Sequence, residues 1–212
     1  MVYVSVDIET SGLNPDMNSV LSIGAIIEDT TTKLPYEELP KFNIIVLNYN
    51  IQGSPKAITM NGPIIDLMGR FLDGNEDERE LIIQESGYKF YEENEVSKEF
   101  YKFLDENGLG RGPKKENCDI SKIWDEPITI NVAGKNFATF DKLFLDEIPL
   151  WKKLIRTRHR VLDPSILFVD WIDDKTLPNL ITCKERSKID GIVTHNALED
   201  AWDVIQILRT KY

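Results

Sequence analysis

Residues 2–9 alternate. Val2, Val4, Val6 and Ile8 fall on one side, and Tyr3, Ser5, Asp7 and Glu9 on the other. Period two predicts a strand, with Asp7 and Glu9 about 7 Å apart on one face. The turn chemistry of Ser11-Gly12-Leu13-Asn14-Pro15-Asp16 follows. Apolar β-rich runs at Val20–Ile27 and Phe42–Leu47 then complete a predicted three-stranded meander. Pro63–Phe71 reads as a short helix, and Asp73–Glu80 as acidic, solvated surface. Val96, Phe100, Phe103 and Leu104 recur at helical spacing up to Asn107-Gly108. Gly110–Asp119 reads as a loop, Ile128–Val132 as a strand broken by Gly134, and Phe137, Phe140 and Phe144 as the apolar face of one helix. Val161–Asp163 suggests a last strand, Ile166–Trp171 a helix, and Leu177–Arg186 another. Asn196 and Glu199 form a capping-box pattern ahead of an apolar stripe of Leu198, Ala201, Trp202, Ile205 and Leu208. A meander followed by alternating strands and helices predicts a mixed sheet with helices packed on it.

Composition narrows this to an ordinary soluble domain. The chain has 212 residues, 42% of them hydrophobic and 29% charged, within reach of a single domain over residues 1–212. Residues 48–127 stand out as a long decoration on it. No apolar run approaches a membrane span, and Met1–Val6 has no basic flank of a signal peptide. Cys118 and Cys183 make no metal-ligand pattern and read as reduced thiols of a cytoplasmic protein. The net charge of −11 argues against a broad non-specific nucleic-acid footprint, which needs a basic face. It is compatible with an enzyme that grips a few phosphates through metals.

The candidate chemistry lies in three acidic segments. Two carboxylates on one face of a central strand, Asp7 and Glu9, are costly when buried without cations; on a solvated edge strand they would be tolerated. Asp141 follows a strand and a Gly break at the start of a helix. Asp200 sits in the first turn of the last helix, and His195 just outside its cap, on a mobile flank that suits a base approaching an attacking water; the alternative is a surface His at a helix entry. Four carboxylates and one histidine are what two divalent cations and a general base require to cleave a phosphodiester. The run from Lys152 to Arg160, which includes His159, reads either as a solvated face or as a phosphate-gripping arm beside the site.

Together these segments resemble the DEDD exonuclease superfamily, in its histidine-base branch, to which proofreading subunits of replicative polymerases and oligoribonuclease belong. Val4-Ser5-Val6-Asp7-Ile8-Glu9-Thr10-Ser11-Gly12-Leu13 is similar to the opening strand and turn, and Val20-Leu21-Ser22-Ile23-Gly24-Ala25 to the second strand. Phe140-Asp141-Lys142-Leu143-Phe144-Leu145 is similar to the second motif, and His195, Ala197, Leu198, Asp200 and Ala201 to the third. The resemblance departs at one point. Many proofreading relatives have Asn four residues before the second-motif Asp; here that position is Phe137 and Asn136 lies five before, the longer spacing of oligoribonuclease-like members. That spacing leans toward short or single-stranded substrates.

The resemblance implies an α/β, ribonuclease-H-like fold with a five-stranded mixed sheet flanked by helices. It also implies a 3′→5′ exonuclease releasing nucleoside 5′-monophosphates. Asp7, Glu9, Asp141 and Asp200 would hold two Mg²⁺ or Mn²⁺ ions, with His195 as general base. Thr10, Ser11, Leu13, Asn136 and Phe140 would meet the terminal nucleotide. The implied partner is a single-stranded 3′ end, DNA or RNA, with no membrane. A homodimer, a polymerase partner, and a non-catalytic nucleic-acid-binding or polymerase-associated regulatory subunit on the same fold remain as rivals.

Overall fold

The structure, a computed structural model, describes residues 1–110, 126–191 and 194–212. Cys118 and, past Gly110, the expected loop to Asp119 lie outside them. A five-stranded mixed sheet in the order β4-β3-β2-β1-β6 forms the centre. Strands β1 (Val2–Thr10), β2 (Val20–Asp29) and β3 (Lys41–Leu47) are the antiparallel meander; β4 (Lys89–Glu92) runs parallel to β3, and β6 (Val132–Ala133) parallel to β1. A two-stranded parallel ladder of β5 (Ile128–Ile130) and β7 (Ile155–Thr157) continues this edge.

Both faces of β1 are covered, as befits a central strand. Val4, Val6 and Ile8 join Ile23, Ala25, Phe42 and Ile44 beneath α4 (Glu93–Glu106), α5 (Asp141–Leu145) and α6 (Trp151–Leu154). On the opposite face Tyr3 and Ile26 pack under α8 (Ala197–Arg209) through Ala201, Val204, Ile205 and Leu208. Helix α2 (Gly62–Asp73) closes a third cluster, in which Ile64 and Met68 meet Leu21, Ile45 and Tyr88. The stretch 48–127 therefore supplies a sheet strand and a core helix, α4, as well as α1 (Pro55–Met60), α2 and α3 (Glu76–Ser86).

Several local expectations change. Asp73–Glu80 is exposed, yet part of it is helical: Asn75 and Glu78 form a reciprocal capping box, and Gly87 ends α3 at φ 70°. Phe137 belongs to the turn before α5, not to one helix with Phe140 and Phe144. Val161–Asp163 is reduced to one bridge between Leu162 and Ala133. The expected helix at Ile166–Trp171 is a 3₁₀ turn over Pro164–Leu167, closed by Asp163 and ended at Phe168. Strand β4 carries no alternating pattern and is set by its pairing with β3. Helix α7 (Leu180–Ser187) starts at its Asn179 cap. No helix among the described residues is long and apolar enough to cross a membrane.

Candidate active site

The site begins where the sheet stops. Strand β6 pairs with β1 only at Val4 and Ser5, because the chain turns away after Ala133 at Gly134. Beyond that point β1 has no strand on this side, and the carboxylate of Asp141 takes the partner's place, its Oδ1 accepting from the Ile8 amide at 3.2 Å. Asp141 is thereby fixed at the first residue of α5, 2% exposed, between the two acids of β1.

Helix α8 brings the fourth acid to the same spot. Asp7 stands opposite Gly24 on β2, and a Cβ at Gly24 would collide with the Ala197 carbonyl and the Leu198 amide. Glycine here lets the start of α8 lie directly on the sheet. Ser5 Oγ donates to the Ala201 carbonyl at 2.8 Å, which pins the helix along β1. Asn196 caps it, accepting from the amides of Leu198 (3.1 Å) and Glu199 (3.2 Å). The box stays one-sided, because Glu199 turns to the Thr194 hydroxyl instead. Asp200 thus lies in the first turn, where the helix dipole favours negative charge. His195, just before the cap, is exposed and held at φ 54°, a left-handed conformation uncommon for a residue with a side chain. Ligand atoms of Glu9, His195 and Asp200 all fall within 4.8 Å of one another.

These carboxyls suppress one another's ionisation. Burial pushes Glu9 up to about 7, against a lowering hydrogen bond from Asn61. Burial, then the charge of Glu9, does the same to Asp200, also to about 7. Asp141 is likewise raised to about 7, by burial first, despite its hydrogen bond from Ile8. Asp7 is raised well above the usual range by burial and then by Asp141, Asp200 and Glu9. No Lys or Arg forms an ion pair with any of the four among the described residues. Asp200 Oδ1, fully enclosed, has no hydrogen-bond partner. A cluster of hard oxygen donors lacking an internal cation fits divalent metal ions.

Beside the acids lies a cavity of about 280 Å³ bounded by Glu9, Thr10, Leu13, Met60, Asn61 and Phe140. Leu13, 83% exposed, is free to meet a ligand. Of the residues expected around a terminal nucleotide, Thr10, Leu13 and Phe140 line this cavity. Ser11 does not: its buried hydroxyl donates to Gln52 O at 2.6 Å and accepts from Ser19 N at 2.9 Å, holding the turn after β1. Asn136 is also absent from the wall; it is exposed at φ 61°, its amide donating to Asp163 at 2.9 Å. The Lys152–Arg160 run is not beside the acids either. Arg158 N bonds Ile130 O, which puts this run level with the Met1 end of β1.

Two residues of the 48–127 stretch enter the site with no local sequence signal. Asn61, 3% exposed, lies beside Glu9, whose pKa it holds down, and donates to Thr10 O at 3.1 Å. Tyr88 OH accepts from the amide nitrogen of the Asn196 cap at 2.9 Å. Asn61 sits in a Met-Asn-Gly-Pro turn that reads only as a helix start, and Tyr88 precedes a strand set by its partner.

This sheet order, with helices on both faces, has counterparts among solved structures. The fold is shared with exonuclease I. E. coli exonuclease I in complex with a dT13 oligonucleotide is 14% identical over 98% of this chain, with a TM-score of 0.55. The moderately thermophilic exonuclease I from Methylocaldum szegediense is 14% identical over 99% of it, with a TM-score of 0.57. The chain spans about 40% of the length of these exonucleases. No protein-family model matches the sequence, and no curated protein matches it.

Proposed function

We propose that the chain is a metal-dependent 3′→5′ exonuclease domain acting on single-stranded nucleic acid. The observation that carries this is the cluster of four acids, Glu9, Asp141 and Asp200 buried and Asp7 half-buried, none of them ion-paired with Lys or Arg among the described residues, with His195 beside Glu9 and Asp200. Asp7, Glu9, Asp141 and Asp200 would hold two Mg²⁺ or Mn²⁺ ions. Bound there, the ions would neutralise charge on the scissile phosphate and make the attacking water more acidic.

The chain's own groups do the rest. Imidazole nitrogen of His195 accepts the proton of the attacking water, whose oxygen forms the new bond to phosphorus. The bond from phosphorus to the upstream 3′ oxygen breaks, so the last unit leaves as a nucleoside 5′-monophosphate and the shortened strand keeps a 3′-hydroxyl. The cavity of Thr10, Leu13, Met60 and Phe140 receives the terminal nucleoside, with Leu13 against its base. The left-handed backbone of His195, anchored by the Asn196 cap and Tyr88, keeps the imidazole at the cluster's solvent side. The shared fold with exonuclease I, solved with dT13 and dA16 oligonucleotides, supports a single-stranded substrate.

The test uses 5′-labelled single strands of DNA and of RNA with Mn²⁺ or with EDTA. A ladder that shortens from the 3′ end and disappears with EDTA is expected, and the faster strand identifies the sugar preference. Metal-dependent thermal stabilisation without any shortening of either strand would overturn the reading in favour of a binding module.

A further inference from the structure

The densest run of positive charge among the described residues lies away from the acids. Lys152, Lys153, Arg156, Arg158 and Arg160 place five of the chain's 25 basic residues within nine positions that hold no acid. Arg156, Arg158 and Arg160 are exposed, and among the described residues none of them forms an ion pair. In a protein of net charge −11, unpaired arginines gathered on one edge are a local reversal of sign. Arg156 lies on β7 and Arg158 and Arg160 just beyond its end, forming a basic ridge whose three arginines all line one groove.

Two grooves flank the ridge. One, of about 600 Å³, is bounded by Met1, Asn131, Arg156, Arg158 and Arg160. The other, of about 620 Å³, runs from Arg156 and Arg158 past Trp151 to Lys142 and Ala138. Ala138 and Lys142 bracket Phe140 and Asp141, and Phe140 lines the terminal-nucleotide cavity on its other side. The second groove therefore ends at the wall of the acidic site.

The spacing can be read from the register. Val4 pairs with Val132 and Arg158 N bonds Ile130 O, so Arg158, the middle of the three, lies level with Val2, five residues along the strand direction from Asp7. At roughly 3.3 Å per residue this is about 17 Å. A stacked strand advances about 3.4 Å per nucleotide, so the gap corresponds to about five nucleotides.

We propose that Arg156, Arg158 and Arg160 form a phosphate track for single-stranded nucleic acid, gripping its backbone about five nucleotides upstream of the 3′ end. The inference rests on the exonuclease reading for the position of that end. The contacts are to phosphates, so they add affinity and length preference without base preference. A strand of two or three nucleotides occupies the cavity and never reaches the ridge.

The test measures binding apart from cleavage. Fluorescence anisotropy of 5′-fluorescein-labelled 12-mer and trimer is followed in EDTA from 50 to 300 mM salt. Wild type is compared with an Arg156→Gln/Arg158→Gln/Arg160→Gln triple variant and with the corresponding triple Lys variant. The Gln variant is expected to lose about tenfold or more in 12-mer affinity and to flatten the log Kd against log salt slope by about 2, at roughly 0.7 per lost phosphate contact. The Lys variant keeps most of the affinity, and trimer binding is the same in all three proteins. Equal 12-mer affinity in wild type and the Gln variant overturns the proposal. So does a Gln variant that binds normally and self-associates, since charges on an edge strand would then serve only to block strand pairing. Failure of the exonuclease reading shows separately, as the absence of EDTA-sensitive shortening by wild type.

Discussion

The two ends of α8 rest on one face of β1 and β2, and each end meets buried acid. At its C-terminal end Glu28, 0% exposed, receives the forked guanidinium of Arg209 at 3.0 and 2.6 Å, with the Tyr212 hydroxyl at 3.2 Å. Midway, Asp203 receives Lys184 at 2.6 Å. At the N-terminal end Asp7, Glu9 and Asp200 meet no such cation, and Asp141 joins them from the open edge of β1. Burial is comparable, but the compensation is not. Where the chain supplies its own positive charge, a buried carboxylate is structural. Where it supplies none, the carboxyls must take up protons or hold cations from outside. The contrast within one helix–sheet interface separates scaffold from site better than any count of acids.

The sharpest way to break this contrast is to remove an acid from each end. Asp7→Asn or Asp200→Asn is expected to lower exonuclease turnover by about 10³-fold or more, equivalent to roughly 4 kcal/mol of barrier, while the metal-free protein melts no lower than wild type. Near wild-type turnover in Mg²⁺ would sink the site assignment. At the other end the effect should be on stability. Arg209→Met strands Glu28 and is expected to cost about 3 kcal/mol in chemical denaturation. Glu28→Leu/Arg209→Met should recover most of it, and a variant as stable as wild type would remove the basis of the comparison.

Proton uptake gives a smaller signal. In EDTA, Glu9, Asp141 and Asp200 carry folded-state values of about 7, above their unfolded values. The folded protein then binds more protons than the unfolded one between about pH 4 and 7, so stability rises as pH falls through that window. The melting temperature should climb by a few degrees from pH 8 to pH 5. Adding Mn²⁺ at pH 8 should raise it too and flatten the pH dependence; a flat metal-free profile would contradict the mutual suppression of the four carboxyls. Smallest is Tyr88→Phe, which deletes one hydrogen bond to the Asn196 cap, about 1 kcal/mol. Activity is expected to fall a few-fold with KM unchanged, and a change in KM alone would show that Tyr88 acts on substrate rather than on the His195 flank.

Much of the site was legible because its signals are local. Period two put Asp7 and Glu9 on one face, and Asn196 marked the start of the helix that carries Asp200. The helix at Val96–Leu104 and its Asn107-Gly108 end were equally readable. Ser11 and Asn136 show the limit. Their place in a motif suggested contact with a nucleotide, but the Ser11 hydroxyl donates to the distant Gln52 carbonyl, and the Asn136 backbone amide is held by Asp163, 27 residues on. The basic run was visible as composition, while its position at the far end of β1 depended on the pairing of β5 with β7.

The sequence alone determined which residue types the chain can bring to chemistry, the periodicity of the meander and the last helix, and the acidic balance with its single basic run. These follow from neighbour-to-neighbour spacing, which a strand or a helix turns directly into a face. Only the tertiary structure decided that Asp141 fills the open edge of β1, that Gly24 lets α8 settle against the sheet, and that Asn61 and Tyr88 brace Glu9 and the His195 flank. It also decided which buried acids find an arginine or lysine and which do not. Each of these is a contact between segments tens of residues apart, and a burial or a missing counter-charge exists only once the chain has closed around it.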